Sequence, residues 1–143
     1  MSHPCELSRR MTRIRFRRDY VFETPQSIAD YYMAYMCHLE HEEVHVMMLD
    51  ARQHMISECL LTKGTVNASL IAPREIFIHA LKANAVGIIL VHNHPSGDDT
   101  PSREDLAATE KVRCAGDLIG IRLLDHIIIG SGHFTSLCGS WHH

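Results

Sequence analysis

Two histidines and an aspartate in the second half of the chain have a spacing that suits a metal ion. His92 and His94 follow a continuous apolar run, and Asp105 comes later, at the start of the next helical pattern. In a strand, side chains two residues apart point to the same face, about 6.6 Å apart along the chain. A catalytic zinc usually takes three protein ligands at about 2.0 to 2.2 Å and leaves one position for water. These residues therefore predict a zinc site.

Ser102, between the histidines and Asp105, has two interpretations. The pattern Ser102-x-x-Asp105 before an apolar run is typical of a capping box at a helix start, which needs no chemistry. Histidines at a strand end are also more often surface or hydrogen-bonded residues than ligands. The combined spacing favours the metal: H-x-H, then seven residues, then S-x-x-D.

That spacing is the JAMM motif of MPN-type metalloproteases, which the chain resembles, and other segments are similar to those of the RadC family. The resemblance extends over roughly residues 22 to 138. The matching segments are Gly64-Thr65-Val66-Asn67-Ala68, Pro73-Arg74-Glu75, HNHPSG from His92, Pro101-Ser102 and Leu123-Leu124-Asp125-His126.

The resemblance implies a zinc-dependent domain in which His92, His94 and Asp105 match the ligand positions. Ser102 matches the serine that helps to stabilise the oxyanion. The family also has an upstream glutamate that handles the proton of the attacking water, and both Glu42 and Glu43 are candidates. In similar sequences this glutamate stands eight residues before the aspartate of a Leu-Asp pair, which selects Glu42 by its distance from Asp50.

These roles predict hydrolysis of a peptide, isopeptide or related amide bond in a protein or peptide substrate. Zinc lowers the pKa of a bound water from 15.7 toward about 7. Glu42 is expected to accept the water proton and pass it to the leaving amine, and the Ser102 hydroxyl to donate to the carbonyl oxygen.

The elements that must position these residues alternate between helix and strand, so the fold class is mixed α/β, with a central mixed sheet packed by helices. A helix is predicted from Pro25 to about His38, and another begins at Pro73. The run GIILVHNH from Gly87 is typical of a central strand covered on both faces. The remaining predictions are a hairpin over 42–62, a short strand near 68–71, a helix from 104 with Gly116 near its end, and closing strands within 121–130 and 133–137.

Other acids and histidines near the site have less specific signals. Asp98 and Asp99 are expected to serve the turn after His94. His45 is expected on the strand face opposite Glu42. Asp125-His126 is either a pair that orients a zinc ligand or a core histidine satisfied by backbone, and the second interpretation is favoured.

The bulk composition predicts a single domain; with the resemblance, this is a RadC-like JAMM/MPN domain over residues 22–143, preceded by a basic arm over 1–21. The chain has 143 residues, of which 45% are hydrophobic, enough for one core. Its five cysteines have no C-x-x-C pair and are expected to be reduced. No apolar run is long enough for a membrane span, and the first residues lack the apolar region of a secretory signal, so a cytoplasmic protein is expected.

The basic arm raises an alternative function. The first twenty residues contain six arginines and two acidic residues, Glu6 and Asp19, which gives them a net charge of +4. The rest of the chain has a net charge of −7. Such an asymmetry allows weak nucleic-acid contact, as in an accessory module of DNA repair, although a solvated arm is favoured. A non-catalytic metal-binding scaffold is a further alternative. The arginines are Arg9, Arg10, Arg13, Arg15, Arg17 and Arg18.

Overall fold

The computed structural model describes residues 20–64 and 71–139. All but the last two residues of the predicted arm, and most of the strand predicted near 68–71, lie outside these ranges and stay predictions. The helices are α1 (Pro25–Met36), α2 (Pro73–Lys82) and α3 (Arg103–Ile119). The strands are β1 (Glu42–Leu49), β2 (Met55–Gly64), β3 (Gly87–Asn93), β4 (Arg122–Ile129) and β5 (Phe134–Ser136).

The five strands form one mixed sheet in the order β2-β1-β3-β4-β5. Strands β3 and β4 are parallel, and the other three neighbouring pairs are antiparallel. The predicted hairpin is the β1–β2 pair, and the predicted central strand is β3, all of whose residues are buried. The mixed α/β class is therefore confirmed.

Side-chain caps start two of the helices. The Thr24 hydroxyl accepts the backbone N–H of Ser27 at 3.2 Å, and Pro25 follows at the first helical position, where its missing N–H costs nothing. Helix α1 ends at Met36, two residues before the predicted end. Ser102 caps α3 in the same manner.

Gly116 lies in the last turn of α3, near the end of the helix as predicted. The helix continues to Ile119, and Gly120 ends it with a φ of 91°, in the left-handed region that favours glycine. Gly116 is instead buried within the helix, where a Cβ would lie 2.3 Å from the carbonyl oxygen of Ile121. This glycine permits a close backbone approach and does not end the helix.

The sheet separates two hydrophobic clusters, one packed against α2 and α3 and the other against α1. In β1, Val44, Val46 and Met48 belong to the first cluster, whereas Met47 and Leu49 belong to the second. Because alternate residues of a strand share a face, Glu42 lies on the α2–α3 side and Glu43 on the α1 side. The same alternation in β3 puts His92 on the α2–α3 side with Ile88 and Leu90.

Within the described ranges no helix combines the length and hydropathy that a membrane crossing requires.

Candidate metal centre

Three elements bring the predicted site residues together at one end of the sheet. Glu42 begins β1 and His92 lies near the end of β3, where Val44 and His92 are paired in register. His94 follows β3 directly, and Asp105 lies in the first turn of α3, which packs on the same face of the sheet. The order of the sheet therefore places two strand ends and one helix start around a common point.

The nitrogen and oxygen atoms of these four side chains converge. The Nε2 atoms of His92 and His94 are 3.0 Å apart. Asp105 places Oδ1 at 3.3 Å from the first of these nitrogens and Oδ2 at 3.2 Å from the second. Glu42 is slightly farther, with Oε1 at 3.8 and 3.9 Å from the same two nitrogens. Glu42, His92 and His94 offer three ligand atoms that all lie within 4.8 Å of one another.

The site is partly accessible to solvent, and its ionisable side chains shift one another's pKa values. His92 and Asp105 are buried, whereas Glu42 and His94 are partly exposed. Burial alone would raise the pKa of Asp105, but its contacts with the His92 and His94 rings and a hydrogen bond from the Ser102 backbone N–H hold that pKa well below its ordinary value. The bond to Asp105 raises the pKa of His94 against the effect of burial. Burial also raises the pKa of Glu42, which the two histidines only partly offset.

The ring orientation of His94 is fixed by the loop that follows it. Its Nδ1 lies 2.9 Å from the carbonyl oxygen of Asp98. Because a carbonyl oxygen can only accept, Nδ1 carries the hydrogen, and in the neutral ring Nε2 presents a lone pair. That lone pair faces Oδ2 of Asp105.

Ser102 makes the capping box that the sequence allowed. Its hydroxyl oxygen accepts the backbone N–H of Asp105 at 3.0 Å, and Oδ2 of Asp105 accepts the backbone N–H of Ser102 at 2.8 Å. The hydroxyl acts as an acceptor in this cap, so its own hydrogen remains available to a third group. The cap also fixes the Asp105 carboxylate beside the histidines.

Glu43 lies on the opposite face of β1 from Glu42. Its carboxylate accepts hydrogen bonds from the Tyr35 hydroxyl at 2.8 Å, from His41 at 3.0 Å and from His45 at 2.8 Å. The structure thus places Glu42, and not Glu43, beside His92 and His94. The expectation that His45 faces away from Glu42 is confirmed.

The interpretation of His126 as a core histidine satisfied by backbone was wrong. This fully buried ring places Nε2 at 2.7 Å from Nδ1 of His92, and Nδ1 at 2.6 Å from the hydroxyl oxygen of Thr109. Burial and the neighbouring His92 together hold the pKa of His126 well below its ordinary value. Thr109 was missed from the sequence, although it stands four residues after Asp105 on the same helix face.

The neighbouring Asp125 serves the closing strands. Its carboxylate accepts the backbone N–H of His126 at 2.7 Å, the hydroxyl of Ser136 and the backbone N–H of Cys138 at 3.0 Å. These bonds tie β4 to the segment around β5. Of the Asp125-His126 pair, only His126 contacts a candidate ligand.

Asp98 acts as a turn residue, as predicted, whereas the carboxylate of Asp99 reaches the turn after β4. Oδ1 of Asp98 accepts the backbone N–H of Thr100 at 2.9 Å and also its hydroxyl. Asp99 is paired with His133 at 3.1 Å. Neither carboxylate belongs to the group around His92.

A pocket opens beside His94, between the end of α1, the loop after β3 and the turn after β4. Its lining mixes apolar side chains with serine hydroxyls and glycine backbone. The lining residues are Met36, Cys37, Leu39, His94, Pro95, Ser96, Gly97, Gly130 and Ser131. His94 is the member of the candidate site that lines this pocket.

Comparison with known proteins gives a consistent assignment. The family described as "RadC-like JAB domain" matches residues 22–141. A UPF0758 protein of Geobacillus sp. (strain WCH70) is 44% identical over 92% of the chain and 58% of its own length. UPF0758 proteins of Bacillus cereus (strain B4264) and Staphylococcus carnosus (strain TM300) are 42% and 45% identical over 92% and 80% of the chain, and over 59% and 50% of their own lengths. The chain thus spans between half and three fifths of these curated relatives, whose names state no activity.

Proposed function

This chain belongs to the RadC-like JAB domain family, and from that premise we propose that it is a zinc-dependent hydrolase of amide bonds. The family suggests a metal-dependent hydrolase fold of the JAMM type. Zinc as the ion, amide-bond hydrolysis as the reaction and the role of each residue are all parts of this proposal.

The observation that carries the proposal is the convergence of the His92, His94 and Asp105 side chains on one point. In the contact between His94 and Asp105, a ring nitrogen with a lone pair and an ionised carboxylate oxygen both accept hydrogen bonds, and they face each other at 3.2 Å. Two such atoms repel each other unless a proton or a metal cation lies between them. The second nitrogen, from His92, and the second oxygen of Asp105 meet at the same point. Nitrogen and oxygen ligands of this kind are typical of catalytic zinc.

The distances favour Asp105 as the third ligand and Glu42 as the base. Atoms about 2.1 Å from one ion at tetrahedral angles lie about 3.4 Å from one another. The contacts among His92, His94 and Asp105 are 3.0, 3.2 and 3.3 Å. Glu42 stands farther away, with Oε1 at 3.8 and 3.9 Å from the two nitrogens, which suits a base beside the ion better than a ligand.

When bound, zinc would lower the pKa of a water toward about 7 and polarise a substrate carbonyl. Glu42 would accept the proton of that water and deliver it to the leaving amine. Because the hydroxyl oxygen of Ser102 already accepts from the helix start, its hydrogen would be donated to the charge that develops on the carbonyl oxygen.

The charge near the site favours an amide over a phosphodiester. Asp98, Asp99 and Glu104 surround the site loop, and Arg103 is the only basic residue between His94 and Asp105. A neutral or cationic peptide is attracted to such a loop more than a polyanion is. The pocket beside His94 would hold a group next to the scissile bond.

The test is metal content together with hydrolysis. Protein purified without chelator should hold close to one zinc per chain, and His92→Ala, His94→Ala and Asp105→Ala should each lose it. Glu42→Gln should keep the zinc while losing cleavage of a library of quenched fluorescent peptides. The matched control is Glu110→Gln, an exposed glutamate farther along α3.

Two results would contradict the proposal. Folded wild-type protein that holds no metal after zinc is added would remove the metal centre. A Glu42→Gln variant that cleaves the peptides as fast as the wild type would remove the assigned base.

A further inference from the structure

The buried chain of contacts behind His92 determines which of its ring nitrogens carries the hydrogen. Nδ1 of His92 meets Nε2 of His126 at 2.7 Å, and Nδ1 of His126 meets the Thr109 hydroxyl oxygen at 2.6 Å. That hydroxyl also lies 2.8 Å from the carbonyl oxygen of Asp105. All three side chains are buried, so water does not compete for these bonds.

The hydrogens in this chain can be placed one after another from its fixed end. The backbone carbonyl oxygen of Asp105 can only accept a hydrogen bond, so the contact requires the Thr109 hydroxyl to donate its one hydrogen to that oxygen. Its contact with His126 is then a hydrogen bond only if Nδ1 of His126 donates. This is the only arrangement in which both contacts of Thr109 are hydrogen bonds.

The next hydrogen follows from the first. The ring of His126 is fully buried and its two nitrogens meet uncharged partners, the ring of His92 and the hydroxyl of Thr109, which favours the neutral form; a neutral imidazole carries one hydrogen. With that hydrogen on Nδ1, Nε2 of His126 must accept from Nδ1 of His92. The remaining nitrogen of His92, Nε2, therefore has a lone pair directed at His94 and Asp105.

We infer that Thr109 is a positioning residue for the metal centre: acting through His126, it holds the hydrogen of His92 on Nδ1 and keeps Nε2 of His92 free to bind the ion. The inference rests on the proposed function. It assigns to Thr109 and His126 a role that a carboxylate or backbone carbonyl commonly has for a metal-bound histidine. For His94, the backbone carbonyl of Asp98 holds the hydrogen on Nδ1 by direct contact.

A matched pair of substitutions separates the hydroxyl from the shape of the side chain. Thr109→Val keeps the branched shape and loses the hydroxyl, whereas Thr109→Ser keeps the hydroxyl. Without the acceptor, His126 is released to carry its hydrogen on Nε2 and donate to His92. His92 would then carry its own hydrogen on Nε2, where it blocks the ligand position.

The first readout is the tautomer of His92 in metal-free protein with nitrogen-15-labelled histidine, recorded by NMR above the ordinary pKa of histidine. Wild type and Thr109→Ser should show hydrogen on Nδ1, and Thr109→Val should show a shift toward Nε2. The second readout is zinc affinity by competition with a chelating dye. Thr109→Val should bind zinc about 10- to 100-fold more weakly, and Thr109→Ser should stay close to wild type.

A double-mutant cycle tests the route through His126. In His126→Leu no polar side chain links Thr109 to His92, so adding Thr109→Val should change zinc affinity little further. An equal loss from Thr109→Val in both backgrounds would overturn the relay.

The outcomes separate this inference from the proposed function. Wild-type protein without zinc affinity would overturn the proposed function, and the NMR comparison would still decide the relay. Wild-type protein that binds zinc, with a Thr109→Val variant of unchanged tautomer, would overturn the relay alone, whatever that variant's affinity.

Discussion

The side-chain amide of Asn93 bonds to the backbone on both sides of Glu42. Its Oδ1 accepts the N–H of Glu43 at 2.8 Å, and its Nδ2 donates to the carbonyl of His41 at 2.9 Å. Asn93 stands between His92 and His94 and is buried on the other face of β3. One residue thus fixes the position of Glu42 relative to both histidines.

Asn93→Ala should therefore weaken both the fold and the position of Glu42. The substitution leaves the backbone N–H of Glu43 and the carbonyl of His41 without their partner. The free energy of unfolding, measured by urea denaturation, should fall by about 1 to 3 kcal/mol. Zinc content should persist, because His92, His94 and Asp105 are held by other bonds, while peptide cleavage falls. A variant with wild-type stability and wild-type cleavage would show that the amide does not hold Glu42.

Ser102 allows the helix cap to be separated from the proposed oxyanion contact. Glycine is nearly as good an N-cap as serine, at a cost of a few tenths of a kcal/mol, whereas alanine costs about 1 kcal/mol. Ser102→Gly should thus stay close to wild-type stability, and Ser102→Ala should unfold at lower urea. Both lack the hydroxyl, so both should lose about 100- to 1000-fold in the rate of peptide cleavage.

Ser102→Thr is the control for that comparison, since it keeps the cap and the hydroxyl. It should retain stability and measurable cleavage. If Ser102→Gly cleaves peptides as fast as wild type, the serine is a helix cap and nothing more.

The sequence predicts which face of its strand each residue near the site occupies. It does not predict which side chains from other elements that residue contacts. The alternation along β1 correctly separates Glu42 from Glu43 and His45. His126 was misassigned because its partners come from β3 and from α3, 34 and 17 residues away, and no local pattern records such a contact. The sequence placed Gly116 near the end of α3 but did not identify the cap, because Gly116 serves a packing contact with Ile121 while Gly120 has the left-handed conformation of a C-cap.

Glu43 should make the protein sensitive to acid. Burial favours the protonated form, but hydrogen bonds from His45, His41 and Tyr35 outweigh it and lower the pKa of Glu43 to about 2 from the ordinary 4.5. A carboxyl group with a lowered pKa stabilises the fold above its unfolded-state pKa, and this contribution is lost as the pH falls toward the folded-state pKa. Stability should therefore decline between about pH 4.5 and about pH 2.

Urea denaturation at a series of pH values measures this decline. Glu43→Gln should be less stable at neutral pH and should show a shallower decline through that window, because the titrating group is gone. The control is Glu23→Gln, an exposed glutamate at the start of the described chain, which should keep the wild-type slope. Equal slopes for Glu43→Gln and wild type would assign the acid sensitivity to other carboxylates.

Gly116→Ala should destabilise the packing of α3 against the start of β4. The added Cβ would lie 2.3 Å from the carbonyl oxygen of Ile121, a backbone atom that cannot move aside by rotating, and 3.3 Å from the ring of Phe77. Overpacking of this kind costs about 1 to 3 kcal/mol, which exceeds the gain of about 1 kcal/mol that alanine brings to a helix interior. Leu118→Ala in the same helix is the control, since Leu118 is 89% exposed and should change stability by less than about 0.5 kcal/mol. Urea denaturation of both variants checks the prediction, and a Gly116→Ala variant more stable than wild type would mean that the helix can shift away from Ile121 at little cost.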